Sequence, residues 1–469
     1  MLHSNYSIMK ATKTIQYIFF LSLFILGSCN KMLEFEPDAR ESILLTDALQ
    51  TPDDMQGLLI SCYDVMTNGY YGRQQTLSEL LSDNLNAPYD NADFNEVYIR
   101  NTIIFNGTIQ NFYKEPYIAI YRCNVLLENF DLIDGLSNED RIRIEAEAKF
   151  IRACNHFELV NLFAQPYTPN GSNDQLGIVL KVNSSFDPIP RATVGAVYGS
   201  IIGDLEYAAE NLPLNNGIYA DQNAANAMLA RVYFQMNNFE KAAEYATLAI
   251  DNGSYNIGTE FDRWSENISS ENIFTLVVQQ ADGRSNGFGS YRSDAVDLPT
   301  LAASSEYFNL LYGTGADANP SDLRKNWFEL RQIGTVPEFY AVSKFNADFF
   351  VLPYLHLTET LLIRAESLAE LGSDLSQAIS DINEIRSRAQ IGFLADNSSA
   401  IDIINAARIE RKKEMFGEGR WVMDQKRQGV LGDLELIRGV PYDCNGMVLQ
   451  FPSSENTSNF INNPSGGCN

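Results

Sequence analysis

The stretch that most restricts the fold is residues 226–250, which read NAMLARVYFQMNNFEKAAEYATLAI. Small and large apolar residues recur in it at helical spacing, before and after the turn-forming pair Asn237-Asn238. The recurring residues are Ala230, Tyr233, Phe239, Ala242, Ala246 and Ala249. The pattern predicts two short antiparallel helices.

This order of small and large residues is typical of a tetratricopeptide repeat. Residues 358–389 carry a second, degenerate copy, in which Ala365 and Leu368 keep the register and the later apolar residues follow one position late. Residues 116–130 and 145–163 also have helical spacing. Because one repeat cannot bury its own apolar face, we expect the helix pairs to stack on one another or on extra helices. The predicted fold is mainly α, with minor β structure.

Between the helical blocks, residues 252–345 are rich in Gly, Asn, Ser and Asp, and residues 271–278 (ENIFTLVV) form the best candidate strand. Long ordered loops are usually functional, so we expect a ligand to be bound there. The predicted organisation is a signal peptide (1–28), an N-terminal helical region (29–255) and a C-terminal region (256–469) made of a loop-rich part (256–345), a helical part (346–430) and an irregular tail.

The N-terminus carries an apolar run of about a dozen residues, 15–26, after two lysines. A membrane-spanning helix needs roughly 20 residues, so the run is typical of a secretory signal peptide instead. Residues 26–29, LGSC, resemble the lipobox of bacterial lipoproteins, in which the cysteine is lipidated and the chain is cut before it. The resemblance predicts Cys29 as the lipidated first residue. The alternative is an ordinary signal peptide cut at a nearby site.

The net charge excludes one class of partner. Residues 1–28 hold two of the 34 basic residues and none of the 60 acidic ones, so the chain that follows carries 32 basic and 60 acidic residues, a net charge of −28. Such a surface repels nucleic acid and anionic lipid headgroups. No later apolar run approaches the length of a spanning helix, so we expect lipid alone to hold the mature chain at a membrane.

The remaining cysteines show no metal pattern. Five follow Cys29, an odd number at wide spacing and without a CxxC pair, so at least one is unpaired. Cys123 and Cys154 lie among helical apolar residues and are predicted to be core residues. Cys444 and Cys468 could close a disulfide loop, which the sequence leaves open.

The usual enzyme signatures are missing. The sequence has no HExxH, GxSxG, P-loop or GxGxxG pattern. His156 and His356 fit packed or surface positions, and residues 317–322 (DANPSD) lack the glycine and the final acid of a calcium loop. We therefore predict no catalytic residue, no cofactor and no metal site, although a structural Ca²⁺ stays an open question. Abundant acids leave an exported glycoside hydrolase as an alternative.

Several motifs in a fixed order resemble one family. They are EAEAKFIRACNHFELVNLFAQPY (145–167), LPYLHLTETLLIRAESLAELG (352–372), INEIRSRA (382–389), IERKKEMFGEGRWVMDQKRQG (409–429) and FPSSE (451–455). Together with the lipobox and the following LEFEPD, they resemble the SusD/RagB family of outer-membrane lipoproteins from Bacteroidetes over nearly the whole mature chain. One departure is that Val422 and Met423 occupy customary aromatic positions.

The resemblance implies a helix-rich protein that is lipid-anchored in the outer membrane and faces the cell exterior. Family members bind a glycan or other nutrient without catalysis and form a lid on a SusC-like TonB-dependent transporter. A helical-repeat adaptor that binds protein is a further alternative. The shared motifs are predicted to be framework, with helix-pairing ions and core residues at Arg386, Arg388, Glu410, Arg411 and Trp421.

The ligand itself is expected at two loops, although the sequence does not say which glycan binds. A sugar presents apolar C–H faces and hydroxyls, so aromatic rings with Asp, Asn and Arg suit it. Residues 82–98 and 282–294 offer that mixture, with Tyr89 and Tyr291 predicted to stack on sugar rings. The predicted ligand residues are Asp83, Asn84, Tyr89, Asn91, Arg284, Phe288, Tyr291 and Arg292, and the alternative location is Trp264, Trp327 and Tyr340.

Replacing Cys29 with Ala tests the anchor. The variant is expected to lose acyl labelling and to leave the outer membrane for the periplasm or medium, because several acyl chains hold a protein far longer than one does. Cell fractionation and acyl labelling measure both effects. Unchanged membrane retention with unchanged labelling would contradict lipidation at Cys29.

Overall fold

The structure is a computed structural model that describes residues 48–278, 287–313, 321–455, 457 and 460–468. Cys29 and Arg284 lie outside the described residues. The α-helices of the described part are α1 (Pro52–Tyr70), α2 (Arg73–Leu81), α3 (Ala92–Tyr98), α4 (Gly107–Glu128), α5 (Asn138–Phe163), α6 (Val194–Asn211), α7 (Gln222–Gln235), α8 (Phe239–Asp251), α9 (Ser305–Tyr312), α10 (Leu357–Glu370), α11 (Leu375–Arg388), α12 (Ala400–Glu414) and α13 (Trp421–Leu431).

The described strands are short and pair antiparallel in twos. They are β1 (Asn272–Leu276) with β4 (Leu352–His356), β2 (Phe328–Arg331) with β3 (Phe339–Val342), and β5 (Leu436–Ile437) with β6 (Val440–Pro441). The strand predicted within residues 271–278 is confirmed as β1. The mainly α fold is likewise confirmed.

The first predicted helix pair is confirmed by α7 and α8, which pack against each other. Tyr233 and Tyr245 stack across the pair with ring centroids 5.6 Å apart. Asn237 turns the chain with a φ of +56°, a conformation that Asn adopts more readily than most residues. The Asn238 side chain then accepts a hydrogen bond from the Lys241 N–H, which caps the start of α8.

The second predicted pair is confirmed by α10 and α11. Between them, Gly372 has a φ of +62°, which ends α10 at little steric cost. α10 also packs against α8 and α12, so the two pairs stack as expected. Ala365 of α10 and Ala378 and Ile382 of α11 are buried in an apolar cluster that they share with residues of α12.

The core continues across residue 255, where the two predicted regions meet. Phe274 of β1 lies against Tyr63 of α1 and Phe150 of α5, with ring centroids 6.1 and 5.2 Å apart. Cys123 and Cys154 are fully buried, as predicted. The two regions therefore share one apolar cluster.

The cysteines Cys444 and Cys468 and the two described histidines have roles in packing or in holding the fold. Cys444 and Cys468 form a disulfide with Cα atoms 5.2 Å apart, which resolves the question left open above. His156 is fully buried, and burial lowers its pKa to about 3. His356 caps α10 and its Nε2 lies 3.1 Å from Glu418. None of the described helices combines the length and apolar character needed to cross a membrane.

Buried charges join the C-terminal helices to the loops before them. Arg388 of α11 lies between two buried carboxylates, 3.0 Å from Glu271 and 2.8 Å from Glu414. Arg263 reaches the same two carboxylates. We call the buried members of this connected set the buried charge network: Arg263, Glu271, Asp322, Arg324, Lys344, His356, Arg388, Glu410, Lys413, Glu414 and Glu418.

The predicted framework residues have the predicted roles. Arg386 of α11 pairs with Glu410 of α12 at 2.9 Å, and Arg411 of α12 pairs with Asp424 of α13 at 2.6 Å. Trp421 is buried at the start of α13. These contacts confirm that the shared motifs hold helices together.

Arg263→Met tests the network. Loss of Arg263 leaves the buried network with one positive charge too few for its carboxylates, so we expect the free energy of unfolding to fall by about 3–5 kcal/mol. The matched control is Arg141→Met, because Arg141 pairs with Asp131 at the surface, where such a pair contributes about 0–1 kcal/mol. Urea unfolding of both variants measures the difference. Equal stability of the two variants would contradict a structural role for the network.

Candidate functional site

Two loops that are far apart in the sequence run side by side in the structure. The backbone N–H of Asn86 donates to the Ala302 carbonyl at 3.1 Å, and that of Tyr89 donates to the Thr300 carbonyl at 2.9 Å. Ala303 then pairs with β3. We call this arrangement the backbone ladder. It brings the predicted loop at residues 82–98 against the loop-rich region.

A cavity of about 390 Å³ lies along the ladder, and we call it the Tyr89 cleft. Tyr89 is half exposed, with 51% of its surface accessible. The cleft is lined by Asn86, Ala87, Pro88, Tyr89, Leu298, Pro299, Thr300, Ala302, Val336, Pro337 and Phe339. Its three prolines have fixed φ angles, so the walls are stiff.

The chemistry of the cleft suits binding of a neutral molecule. Tyr89 offers an aromatic face and a hydroxyl, Asn86 an amide and Thr300 a hydroxyl. The described lining residues include no charged side chain. The cleft therefore offers stacking and hydrogen bonds, without the paired carboxylates that glycosidic cleavage uses.

Asp83 and Asn84, both predicted as ligand residues, form hydrogen bonds with other side chains of the helical framework. The two carboxylate oxygens of Asp83 accept hydrogen bonds from the Trp421 indole at 2.7 Å and from the Lys412 ammonium at 2.9 Å. Asn84 is fully buried and donates to Glu79 at 2.8 Å. Burial raises the pKa of that glutamate to about 7. Asn84 is thus a correction to the predicted set, since its buried side chain cannot reach a ligand.

Asn91 and Arg292 also have partners within the chain. The Asn91 side chain accepts a hydrogen bond from the Phe94 N–H and caps α3. Arg292 forms ion pairs with Asp294 at 2.7 Å and with Asp348 at 2.6 Å. Both side chains therefore stabilise loops in this structure.

Phe288 and Tyr291 correct the predicted stacking pair, because both rings are fully buried. Phe288 stacks on Phe345 with centroids 4.5 Å apart. The chain turns inward there because residue 287 is a glycine: a Cβ at Gly287 would lie 1.7 Å from the carbonyl oxygen of Tyr71. A ring enclosed in this way has no face left for a sugar, so the prediction for Tyr291 was wrong.

The three aromatic residues of the alternative location, Trp264, Trp327 and Tyr340, also contact other side chains of the protein. Trp264 is buried in the same aromatic cluster as Phe288, and its indole donates to Glu418 at 3.1 Å. Tyr340 stacks on Phe308 with centroids 3.9 Å apart. Trp327 faces the Lys344 ammonium, which lies 4.5 Å from its ring centroid.

Sequence reasoning found Tyr89 and missed the opposite walls of the cleft. One of those walls is formed by Leu298, Pro299 and Thr300, and the other by Val336, Pro337 and Phe339. Their only sequence signal is a proline in each segment.

Within the described ranges, no group of three or more His, Cys, Asp and Glu side chains is placed to hold a metal ion.

Comparison with known proteins identifies relatives of this chain in sequence and in fold. Residues 31–234 match a SusD-like family model described as starch-binding and associating with the outer membrane, and residues 315–459 match the SusD family model. SusD-like protein P2 of Formosa agariphila is 26% identical over 88% of this chain and 93% of its own length. SusD-like protein P38 of the same organism is 21% identical over 90% of this chain and 93% of its own length.

Solved structures show the same fold. A SusD superfamily protein from Bacteroides thetaiotaomicron superposes with a TM-score of 0.78 at 24% identity, covering 88% of this chain and all of that one. A laminarin-binding SusD-like protein superposes with a TM-score of 0.68 at 21% identity, covering 89% of this chain and all of that one. Two models of one family thus match most of the sequence, and the protein belongs to the SusD/RagB family.

Proposed function

We propose that the protein captures a neutral oligosaccharide at the cell surface, without cleaving it, and delivers it to a SusC-like TonB-dependent transporter. The observation that carries the proposal is the Tyr89 cleft, where a half-exposed tyrosine ring stands beside an amide and a hydroxyl. Aromatic faces match the C–H faces of sugars, and the polar groups match their hydroxyls.

The relatives support a glycan as the ligand. One structural neighbour is named as laminarin-binding and another, from Bacteroides uniformis, as surface glycan-binding protein A. The family model that matches residues 31–234 is described as starch-binding. Glucans of the laminarin and starch types are therefore the first ligands to examine.

The proposed mechanism is binding on a prebuilt surface. The backbone ladder and the prolines fix the positions of Tyr89 and Thr300 before a ligand arrives, so little conformational entropy is lost when it binds. The absence of charged side chains among the described lining residues favours a neutral sugar over an acidic one. The described lining residues also include no carboxyl group, the usual general acid in glycosidic cleavage, which supports binding without turnover.

Location at the membrane completes the proposal. Lipid on Cys29 would hold the domain at the outer membrane, and the acidic net charge would keep it off anionic headgroups. In that position the protein would cover the transporter and pass the sugar to it.

Tyr89→Ala is the test of the cleft. Loss of the stacking ring is expected to weaken binding at the cleft at least tenfold, about 1.4 kcal/mol, with the melting temperature unchanged because the ring is half exposed. Calorimetric titration with laminarihexaose and maltoheptaose measures the affinity of the variant and the wild type.

Two controls complete the test. Phe105→Ala removes an exposed ring, 71% accessible, that does not line the cleft, and should bind like the wild type. Tyr291→Ala should lower the melting temperature, because its ring is in the core. If Tyr89→Ala binds as tightly as the wild type, the ligand lies elsewhere, and release of shorter sugars by the wild type would show an enzyme instead.

A further inference from the structure

A second cavity, of about 570 Å³, lies away from the residues described above, between α4, residues 179–189 and the C-terminal tail. We call it the Phe186 cleft. Three of its lining residues, Tyr113, Tyr117 and Tyr121, are spaced four apart on α4 and therefore share one face of that helix. The cleft thus has a continuous wall of aromatic side chains.

Phe186 extends this wall into solvent. Its ring packs on Tyr121 with centroids 5.0 Å apart and an interplanar angle of 32°, yet 82% of its surface is accessible. The buried end of the wall is Tyr113, whose ring lies 4.8 Å from that of Tyr117. An exposed ring at the mouth of a cavity is a common feature of ligand-binding surfaces.

The loop that carries Phe186 is fixed by several hydrogen bonds. The Asn124 amide of α4 donates to the carbonyl of Asn183 at 3.0 Å. Glu128, one turn further along α4, accepts from the Ser184 N–H at 2.8 Å. The Lys181 ammonium donates to the carbonyl of Asp187 at 2.7 Å, inside the loop. Phe186 therefore stays exposed on a held backbone, and its position is set before any ligand binds.

The polar side chains at the rim of the cleft indicate which class of ligand it suits. Around the aromatic wall stand the side chains of Gln110, Lys114, Asn183, Asp187 and Thr457. Amide, ammonium, carboxylate and hydroxyl groups alternate with rings there, which is the mixture that sugar hydroxyls and C–H faces need. Asn183 and Asp187 already accept hydrogen bonds from Ser185, at 3.2 and 2.7 Å, and each keeps further hydrogen-bonding capacity. A lipid chain or an apolar helix would offer no hydrogen bond to the Gln110, Lys114 and Thr457 side chains.

We propose that the Phe186 cleft is a second oligosaccharide-binding site, which binds a pyranose ring on the Tyr121–Phe186 surface. The proposal rests on the proposed function for the class of ligand, but on a different set of residues. Two sites on one domain would hold a polysaccharide more tightly than either alone, because the second contact of a bound chain is intramolecular.

The experiment is calorimetric titration of the full chain with laminarihexaose and with maltoheptaose. The wild type is expected to bind two oligosaccharides per chain. Phe186→Ala should weaken one of the two events at least tenfold and leave the other unchanged, with the melting temperature unchanged because the ring is exposed. Phe186→Tyr keeps an aromatic face and should retain both events. Phe105→Ala, which removes an exposed ring outside both clefts, should also retain both.

The outcomes separate this site from the Tyr89 cleft. If Phe186→Ala titrates like the wild type, the second site is overturned, whatever Tyr89→Ala does. If Tyr89→Ala titrates like the wild type while Phe186→Ala loses binding, the proposal for the Tyr89 cleft fails and the Phe186 cleft stands. A crystal soaked with laminarihexaose should show sugar against Phe186. An unoccupied cleft in that crystal, with no heat from either oligosaccharide, would overturn both sites for these glucans.

Discussion

The fold depends on a set of buried charged side chains in which cationic groups and carboxylates are equal in number. Apart from His356, the buried charge network holds five cationic side chains and five carboxylates, which neutralise one another. Burial alone would raise the pKa of Glu271, but Arg263 and Arg388 outweigh burial and bring the pKa to about 2. Glu271 is thus kept ionised by its neighbours. Such pairs specify one arrangement of helices, because any shift would leave an ion unpaired in the interior.

The same kind of contact fixes the loop that leads to the Tyr89 cleft. Lys412 of α12 and Trp421 of α13 both bind the Asp83 carboxylate, only six residues before Tyr89. The backbone ladder begins directly after that anchor. Residues of the shared motifs therefore fix where the loop starts, and through it the position of the Tyr89 cleft.

Local patterns predicted the helices well, because helical spacing and turn residues act within a few positions of each other. The helix pair at residues 226–250 is an example. The framework ions Arg386 and Arg411 were predicted through the family resemblance instead, and their partners lie 24 and 13 residues away. The cleft could be predicted only in part, because its walls meet through pairing between distant segments. Composition also misled at Tyr291, since a loop rich in polar residues turned inward at a glycine and buried its ring.

The backbone ladder has a consequence for how such proteins diverge. Its hydrogen bonds join main-chain groups, so they do not depend on which side chains stand at Asn86, Tyr89 or Thr300. Substitutions at these positions can change the shape and polarity of the cleft while the main chain stays in place. If the cleft binds sugar as proposed, few mutations would be enough to change which sugar fits it, and the helical framework with its buried ions would stay in place.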